Sequence, residues 1–363
     1  MENFLNYFKK EKWMNPVRNS CEASKPALRG GTPYGAEPGI VLKSNPRCSR
    51  RPRGPLARRE QRAFGAPKWL RPRSRGIISN GVKGLLLFGV VLLISFPSYA
   101  GSIKEVSQNI KQVQSIETPF QFAMIGDSRD GEKVYTQLME RVLERKPHFL
   151  IHLGDMIPKP HEKEWQAFFE ISKQVNLPFF PVAGNHDVGT TTLGEEIYRK
   201  QFSLPEGKTY FAFRSGGVLF IILDSEKGRG RILKEQWTWL EDILSSSKET
   251  FKLVFIHRPL FLPTDSLKTG RAMDKYPLDR DDLHQLFLKT KVKAVFEADD
   301  HRYDRREIDG LLYVISGGGG APLASFKERG GYFHYVWISV QKGKMEGEVV
   351  DLEGQIQDKF VIE

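Results

Sequence analysis

The sequence predicts an α/β fold whose sheet is mainly parallel but also carries antiparallel strands. Two observations predict it. Over residues 120–183, apolar runs of strand length alternate with amphipathic stretches of helix length, in the order β-α-β-α-β, which calls for parallel strands joined by right-handed crossovers. Further on, Tyr210–Phe213 and Val218–Leu223 lie four residues apart, too close for a crossover, so they read as a hairpin.

Each element follows from its pattern. Phe120–Ile125 is apolar throughout, as a strand buried on both faces should be, and ends at Gly126-Asp127. Lys133–Lys146 places Val134, Leu138, Val142 and Leu143 on one helical face. Phe149–Leu153 is a second strand ending at Gly154-Asp155, Glu162–Val175 a second helix, and Phe179–Ala183 a third strand ending at Gly184-Asn185-His186-Asp187. After the hairpin, Lys234–Leu244 reads as a helix in which Trp237, Trp239 and Leu240 are packing residues. Leu253–Ile256 is a strand ending at His257, Asp282–Leu288 a helix, and Ala294–Phe296 a strand with His301 just beyond. Leu311–Ile315 and Tyr332–Val340 are further strands, and the last twenty residues fit a closing antiparallel meander. Residues 101–363 show no internal repeat and no break in composition, so they form one domain.

The first hundred residues differ in kind. The chain has 363 residues and a net charge of +11, but residues 1–83 hold 19 Lys+Arg against 5 Asp+Glu, leaving the remainder slightly acidic. The excess of positive charge therefore belongs to a Pro-, Gly- and Arg-rich extension that lacks the apolar area to order itself. Nucleic acid is not expected as a partner, because the slightly acidic remainder gives no electrostatic case for it. An apolar content of 40% supports a sizeable core, and a mean hydropathy of −0.41 excludes a polytopic membrane protein. Cys21 and Cys48 both lie in the extension, which excludes disulfide, thiolate-metal and cysteine-nucleophile chemistry from the rest. Residues 84–100 look like a signal peptide: a thirteen-residue apolar run, Gly84–Phe96, then small residues at Ser98 and Ala100. Cleavage after Ala100 and export to the periplasm or exterior are expected. A membrane is expected as partner only if residues 84–96 are retained as an anchor.

Function is written at the strand ends. Asp127, Asp155, Asn185 and His257 each follow a parallel-type strand, and open α/β sheets bind ligands outside the carboxyl ends of their strands. Two carboxylates, a carboxamide and an imidazole form an oxygen-rich set suited to divalent Mn, Fe, Mg or Zn. A single Gly-Asp at such a place is commonly a helix cap; four strand ends and a Gly-Asn-His-Asp run are more than capping requires.

Gly126-Asp127-Ser128-Arg129, Gly154-Asp155, Gly184-Asn185-His186-Asp187, Ile256-His257-Arg258-Pro259 and Ala298-Asp299-Asp300-His301 resemble, in order and spacing, the motifs of the calcineurin-like metallophosphoesterases. Leu223-Asp224-Ser225, Gln236-x-x-Trp239-Leu240 and Gly317–Gly320 with Ala321-Pro322 look like its bacterial, purple-acid-phosphatase-like branch; together the similarity spans about residues 119–323. The resemblance implies two mixed β-sheets packed as a sandwich flanked by helices, with two divalent metal ions at one edge. It implies that Asp127, Asp155 and His301 hold the first ion, and that Asp155 bridges to a second held by Asn185, His257 and Asp299. It also implies hydrolysis of a phosphomonoester or phosphodiester, a phosphorylated small molecule, by metal-bound hydroxide. His186 would protonate the leaving oxygen or hold the phosphate, with Asp187 fixing its imidazole.

Two positions depart from the family pattern. Arg129 stands where a histidine is usual, and a guanidinium cannot ligate a cation. Asp299 replaces the first histidine of Gly-His-x-His and supplies a harder ligand. The first site is thus expected to be weak and the second tight, with Arg129 free to clamp the substrate phosphate. The competing expectation is an Arg129–Asp299 ion pair in a degenerate, non-catalytic protein that binds a phosphorylated ligand or a protein partner. Elsewhere, His152 reads as a core histidine, Arg258 as either a phosphate fork or a surface residue, and Gly317–Gly320 as backbone passing close to the metal edge. Lys289, Lys291 and Lys293 read as a solvated face, His161 and His334 have no assignable partner, and substrate choice falls to loops such as Leu262–Arg280.

Overall fold

The computed structural model describes residues 101–363; the basic extension 1–83 and the signal-like segment 84–100 lie outside the described residues. Two six-stranded mixed sheets pack face to face. The first has the order β12-β11-β10-β1-β2-β3 and the second β4-β5-β6-β7-β9-β8. In the first, β1 (Phe120–Ile125), β2 (Phe149–His152) and β3 (Phe179–Pro181) run parallel, joined by α2 (Glu132–Glu144) and α3 (Glu162–Ile171). β1 also pairs antiparallel with β10 (His334–Gln341), which leads into the expected meander of β11 (Lys344–Asp351) and β12 (Ile356–Ile362). The second sheet opens with the hairpin β4 (Phe211–Ser215) and β5 (Val218–Ile222). It continues in parallel through β6 (Phe251–Phe255), β7 (Ala294–Glu297) and β9 (Leu311–Ser316), with α6 (Lys234–Ser246) and α7 (Pro277–Lys289) as crossovers.

The period-two alternation of the second sheet decides its two faces. Val218, Phe220 and Ile222 of β5 and Leu253 and Phe255 of β6 enter the core between the sheets. Their neighbours Leu219, Ile221 and Val254 enter a separate core under α6 and α7, which Trp237 and Trp239 extend as packing residues. Between the sheets, Phe122, Phe149 and Phe220 meet with ring centroids 5.0–5.4 Å apart. These sheets cannot slide without breaking aromatic contacts worth about 0.5–1.5 kcal/mol each beyond burial.

Four elements were not anticipated. α1 (Val106–Val113) is mostly polar and buries only Val106, Asn109 and Val113. The single turn α4 (Asn185–Val188) and α5 (Thr192–Gln201) follow β3, α5 starting where the Thr191 hydroxyl accepts from the Gly194 N–H. The edge strand β8 (Tyr303–Ile308) buries only Tyr303, its remaining residues being half-buried or exposed, and turns into β9 at Asp309-Gly310, both at positive φ, as a tight hairpin requires. α7 begins five residues earlier than its apolar pattern indicated, with Pro277 in its first turn.

Candidate metal centre

The carboxyl ends of both sheets meet at one edge, and every strand-end residue singled out above lies there. Asp127, Asp155 and Asp299 follow β1, β2 and β7 and sit at φ 57°, 57° and 60°. That left-handed conformation costs a non-glycine residue roughly 1–2 kcal/mol. It is held by cross-bonds between the loops: the Asp127 N–H donates to the Gly154 carbonyl at 3.0 Å, and the Asp299 N–H donates to Asp127 Oδ2 at 3.0 Å. Glycines make room. A Cβ on Gly184 would lie 2.4 Å from Asp155 Oδ1, one on Gly154 2.7 Å from the His257 ring, and one on Gly317 2.8 Å from Asp127 Oδ2. The Gly317–Gly320 run thus brings backbone against the centre, as expected.

Two donor clusters result. Asp127, Asp155 and His301 form one; Asp155, His257 and Asp299 form the other, and within each the ligand atoms lie within 4.8 Å of one another. Asp155 belongs to both. His301 Nε2 is 3.5 Å from Asp127 Oδ1, and His257 Nε2 is 3.4 Å from Asp155 Oδ1. The carboxamide of Asn185 closes the second cluster. In one orientation its oxygen faces His257 Nε2 at 3.3 Å; in the other its NH2 donates to Asp299 Oδ1 at 3.2 Å.

The residues fit divalent cations on three counts. Each ring presents Nδ1 to a backbone carbonyl, His257 to Leu153 at 2.8 Å and His301 to Pro322 at 2.8 Å. Nδ1 must then carry the hydrogen, which leaves Nε2 as a lone-pair donor aimed at the carboxylates. Asp127 Oδ1, Asp299 Oδ2 and His301 Nε2 are buried without a hydrogen-bond partner, a costly arrangement unless something coordinates them. Third, the negative charge is in excess. Burial opposes a proton on His257, but Asp155, Asp127, Asp299 and Glu226 outweigh it and lift its pKa to about 9. Burial likewise opposes protonation of His301, and Asp127 raises it all the same.

His186 stands at the rim rather than among the ligands. Its N–H donates to Asp155 Oδ1 at 2.8 Å, its ring Nδ1 lies 2.7 Å from the Pro158 carbonyl, and Nε2 faces the centre 3.9 Å from Asp155 Oδ2. Asp187 does not fix that imidazole. Its fully buried carboxylate accepts from the N–H groups of Asp155, Met156, Ile157 and Gly184 and so ties the second strand-end loop to the third. A carboxylate flanked by four backbone donors has no lone pair to spare for the ring.

The feared Arg129–Asp299 pair is not formed. Arg129 reaches Asp155 Oδ2 with Nε at 3.4 Å and Asp130 with Nη1 at 2.5 Å. Asp299 is instead held by Lys268, whose Nζ lies 2.6 Å from Oδ1. Burial opposes ionisation of Asp299, but His257 and Lys268 more than reverse it. Nothing in the local pattern of residues 262–276 marks Lys268; only the chain's return to the metal edge does. Arg258 is neither of the things expected of it, because Glu226 holds its guanidinium at 2.7–2.9 Å and it also donates to the Arg271 carbonyl. His152 is the core histidine expected, 3.0 Å from the Ser128 hydroxyl, and burial pushes its pKa down to about 3. His334 has partners after all, the Ser316 hydroxyl and the Tyr332 carbonyl.

The calcineurin-like phosphoesterase family matches residues 120–303, from the first residue of β1 to just past His301. The chain belongs to this family. Among curated relatives, the serine/threonine-protein phosphatase CPPED1 of Danio rerio is 31% identical over 224 residues, covering 54% of this chain and 69% of the relative. Its counterpart in Homo sapiens is 30% identical over 196 residues, covering 50% and 62%. The probable glycerophosphodiester phosphodiesterase GpdQ of Arcobacter nitrofigilis is 28% identical over 120 residues, covering 32% and 44%. Among solved structures, purple acid phosphatase PPD1 of yellow lupin superposes with a TM-score of 0.57 at 20% identity, covering 69% of this chain and 54% of that one, a likeness of fold. This is a family of hydrolases acting on phosphoric esters.

Proposed function

We propose that this chain is a metal-dependent phosphoesterase that cleaves a phosphomonoester or phosphodiester. The observation that carries the reading is the pair of donor clusters sharing Asp155, with the free Nε2 of His186 at their rim. Divalent ions bound there supply Lewis acidity toward phosphoryl oxygens and lower the pKa of water. The chain's own residues do the rest. Asp155 holds the clusters at a common distance through a carboxylate that belongs to both. His186, with Nδ1–H committed to the Pro158 carbonyl, keeps Nε2 to give a proton to the leaving oxygen. Arg129, with its side chain 15% exposed beside Asp155, would offer a guanidinium to a phosphate oxygen. The names of the relatives support both ester classes, since one is called a protein phosphatase and another a phosphodiesterase. The Ser98-x-Ala100 site supports export, with Gly101 as the first residue of the mature protein.

The test is metal-dependent turnover. Protein stripped by a chelator should be inactive toward p-nitrophenyl phosphate and its bis ester, and Mn²⁺ should restore hydrolysis of at least one. Metal bound without turnover of either ester would favour a binding protein instead.

A further inference from the structure

Lys268 lies on the loop 262–276, between β6 and α7, and its ammonium sits inside the second donor cluster. Its Nζ is 2.6 Å from Asp299 Oδ1, with side chains 20% and 3% exposed. The same oxygen lies 3.8 Å from His257 Nε2 and within 3.2 Å of the Asn185 carboxamide. The oxygen that faces the other second-site donors therefore already holds a cation.

The loop is built to keep it there. At its start, Arg306 donates to the Leu262 carbonyl at 3.0 Å, and Asp265 is gripped by Arg302 and Arg329 at 2.9 Å each. At its end, the Met273 N–H donates to the Pro259 carbonyl at 3.1 Å. Around Lys268 itself, its N–H donates to the Ser266 hydroxyl at 3.0 Å and its carbonyl accepts from the Arg271 N–H at 2.8 Å. Withdrawing Lys268 from Asp299 means undoing a stapled loop, not rotating one exposed side chain.

We propose that Lys268 is a tethered cation of the second site. It shares Asp299 Oδ1 with any ion held by Asp155, Asn185 and His257 and repels that ion, so the centre works as one tightly bound divalent ion at Asp127, Asp155 and His301 plus an ammonium at Asp299. An ammonium is a compact point charge with three donors, suited to steadying negative phosphoryl oxygens without a ligand sphere of its own. This reverses the order of affinities expected from Arg129 and Asp299 alone. The inference rests on the metal-dependent reading above.

Calorimetric Mn²⁺ titration with metal analysis tests it on the wild type, Lys268→Gln, Lys268→Met and Lys268→Arg. The wild type should bind one ion tightly and a second more weakly. Lys268→Gln and Lys268→Met should tighten the second ion by about 10–100-fold, the range that single supporting groups exert on metal sites. Lys268→Arg, which keeps the charge, should resemble the wild type. Gln also keeps a hydrogen-bond donor for Asp299, so it separates charge from packing if Met fails to fold. Thermal melts give an independent reading: Mn²⁺ should raise the melting temperature of Lys268→Gln by more than that of the wild type. Two equally tight ions in the wild type, or an unchanged second affinity in Lys268→Gln, would overturn the proposal and leave the phosphoesterase reading standing. No bound metal in any of the four proteins would overturn both.

Discussion

Each half of the centre brings two carboxylates to one imidazole, and the halves differ in the cation that intrudes on each. Beside the first cluster, Arg129 touches Asp155 at 3.4 Å but spends its shorter contact on Asp130, which is 44% exposed. Inside the second, Lys268 meets a nearly inaccessible Asp299 at 2.6 Å. A charge paired with a solvated carboxylate is screened and competes weakly, whereas one paired with a buried carboxylate competes at full strength. Position relative to water, more than residue type, decides which half keeps its metal.

Asp155→Ala should disable both halves at once. The shared carboxylate belongs to both clusters, so metal analysis should find both ions lost and esterase activity at background. Asp127→Ala should remove only the first. A variant of Asp155 that keeps a full metal complement would show that the halves are independent.

His186→Ala should lower kcat by about 10²–10⁴-fold, the usual worth of a positioned acid, with metal content intact. Loss of metal in this variant would move His186 from the rim into the ligand set.

Arg129→His acts on the first half alone. It restores a ligand-bearing side chain beside the cluster and removes a positive charge, so first-site affinity should rise by about 10–100-fold while the second stays as it was. If Arg129 also clamps substrate, KM rises in the same variant.

A pH effect that touches neither metal lies behind the first cluster. His334 packs under Gly318, and burial holds its pKa down to about 4, against 6.5 for a free side chain. Below pH 6.5 the unfolded chain takes up a proton that the folded chain refuses. Stability is therefore complete above that pH and is lost as pH falls toward about 4, by up to roughly 3 kcal/mol. Denaturation midpoints of chelated His334→Gln should depend less on pH across this window than those of the wild type; equal slopes would assign the acid loss to other groups.

Much of this was legible in the sequence because it is local. Continuous apolar runs mark the parallel strands, and a polar residue after each marks the edge where chemistry collects. That is why Asp127, Asp155, Asn185 and His257 could be named before their meeting was seen, while Asp299 and His301 came in through the family resemblance. β8 carried a usable signal in Asp309-Gly310 that its charged, half-exposed residues obscured. α1 and α5 are short helices with few buried positions, so their periodicity is too sparse to stand out. Fold class, motif order and donor types are thus all readable from local pattern. Tertiary structure alone decided the partners of the charges: Asp187 on four backbone N–H groups, Arg258 on Glu226, and Lys268 on Asp299. An ion pair forms between whatever side chains the packed chain brings within a few ångströms, and residues 31 positions apart, such as Lys268 and Asp299, leave no periodic trace of having met.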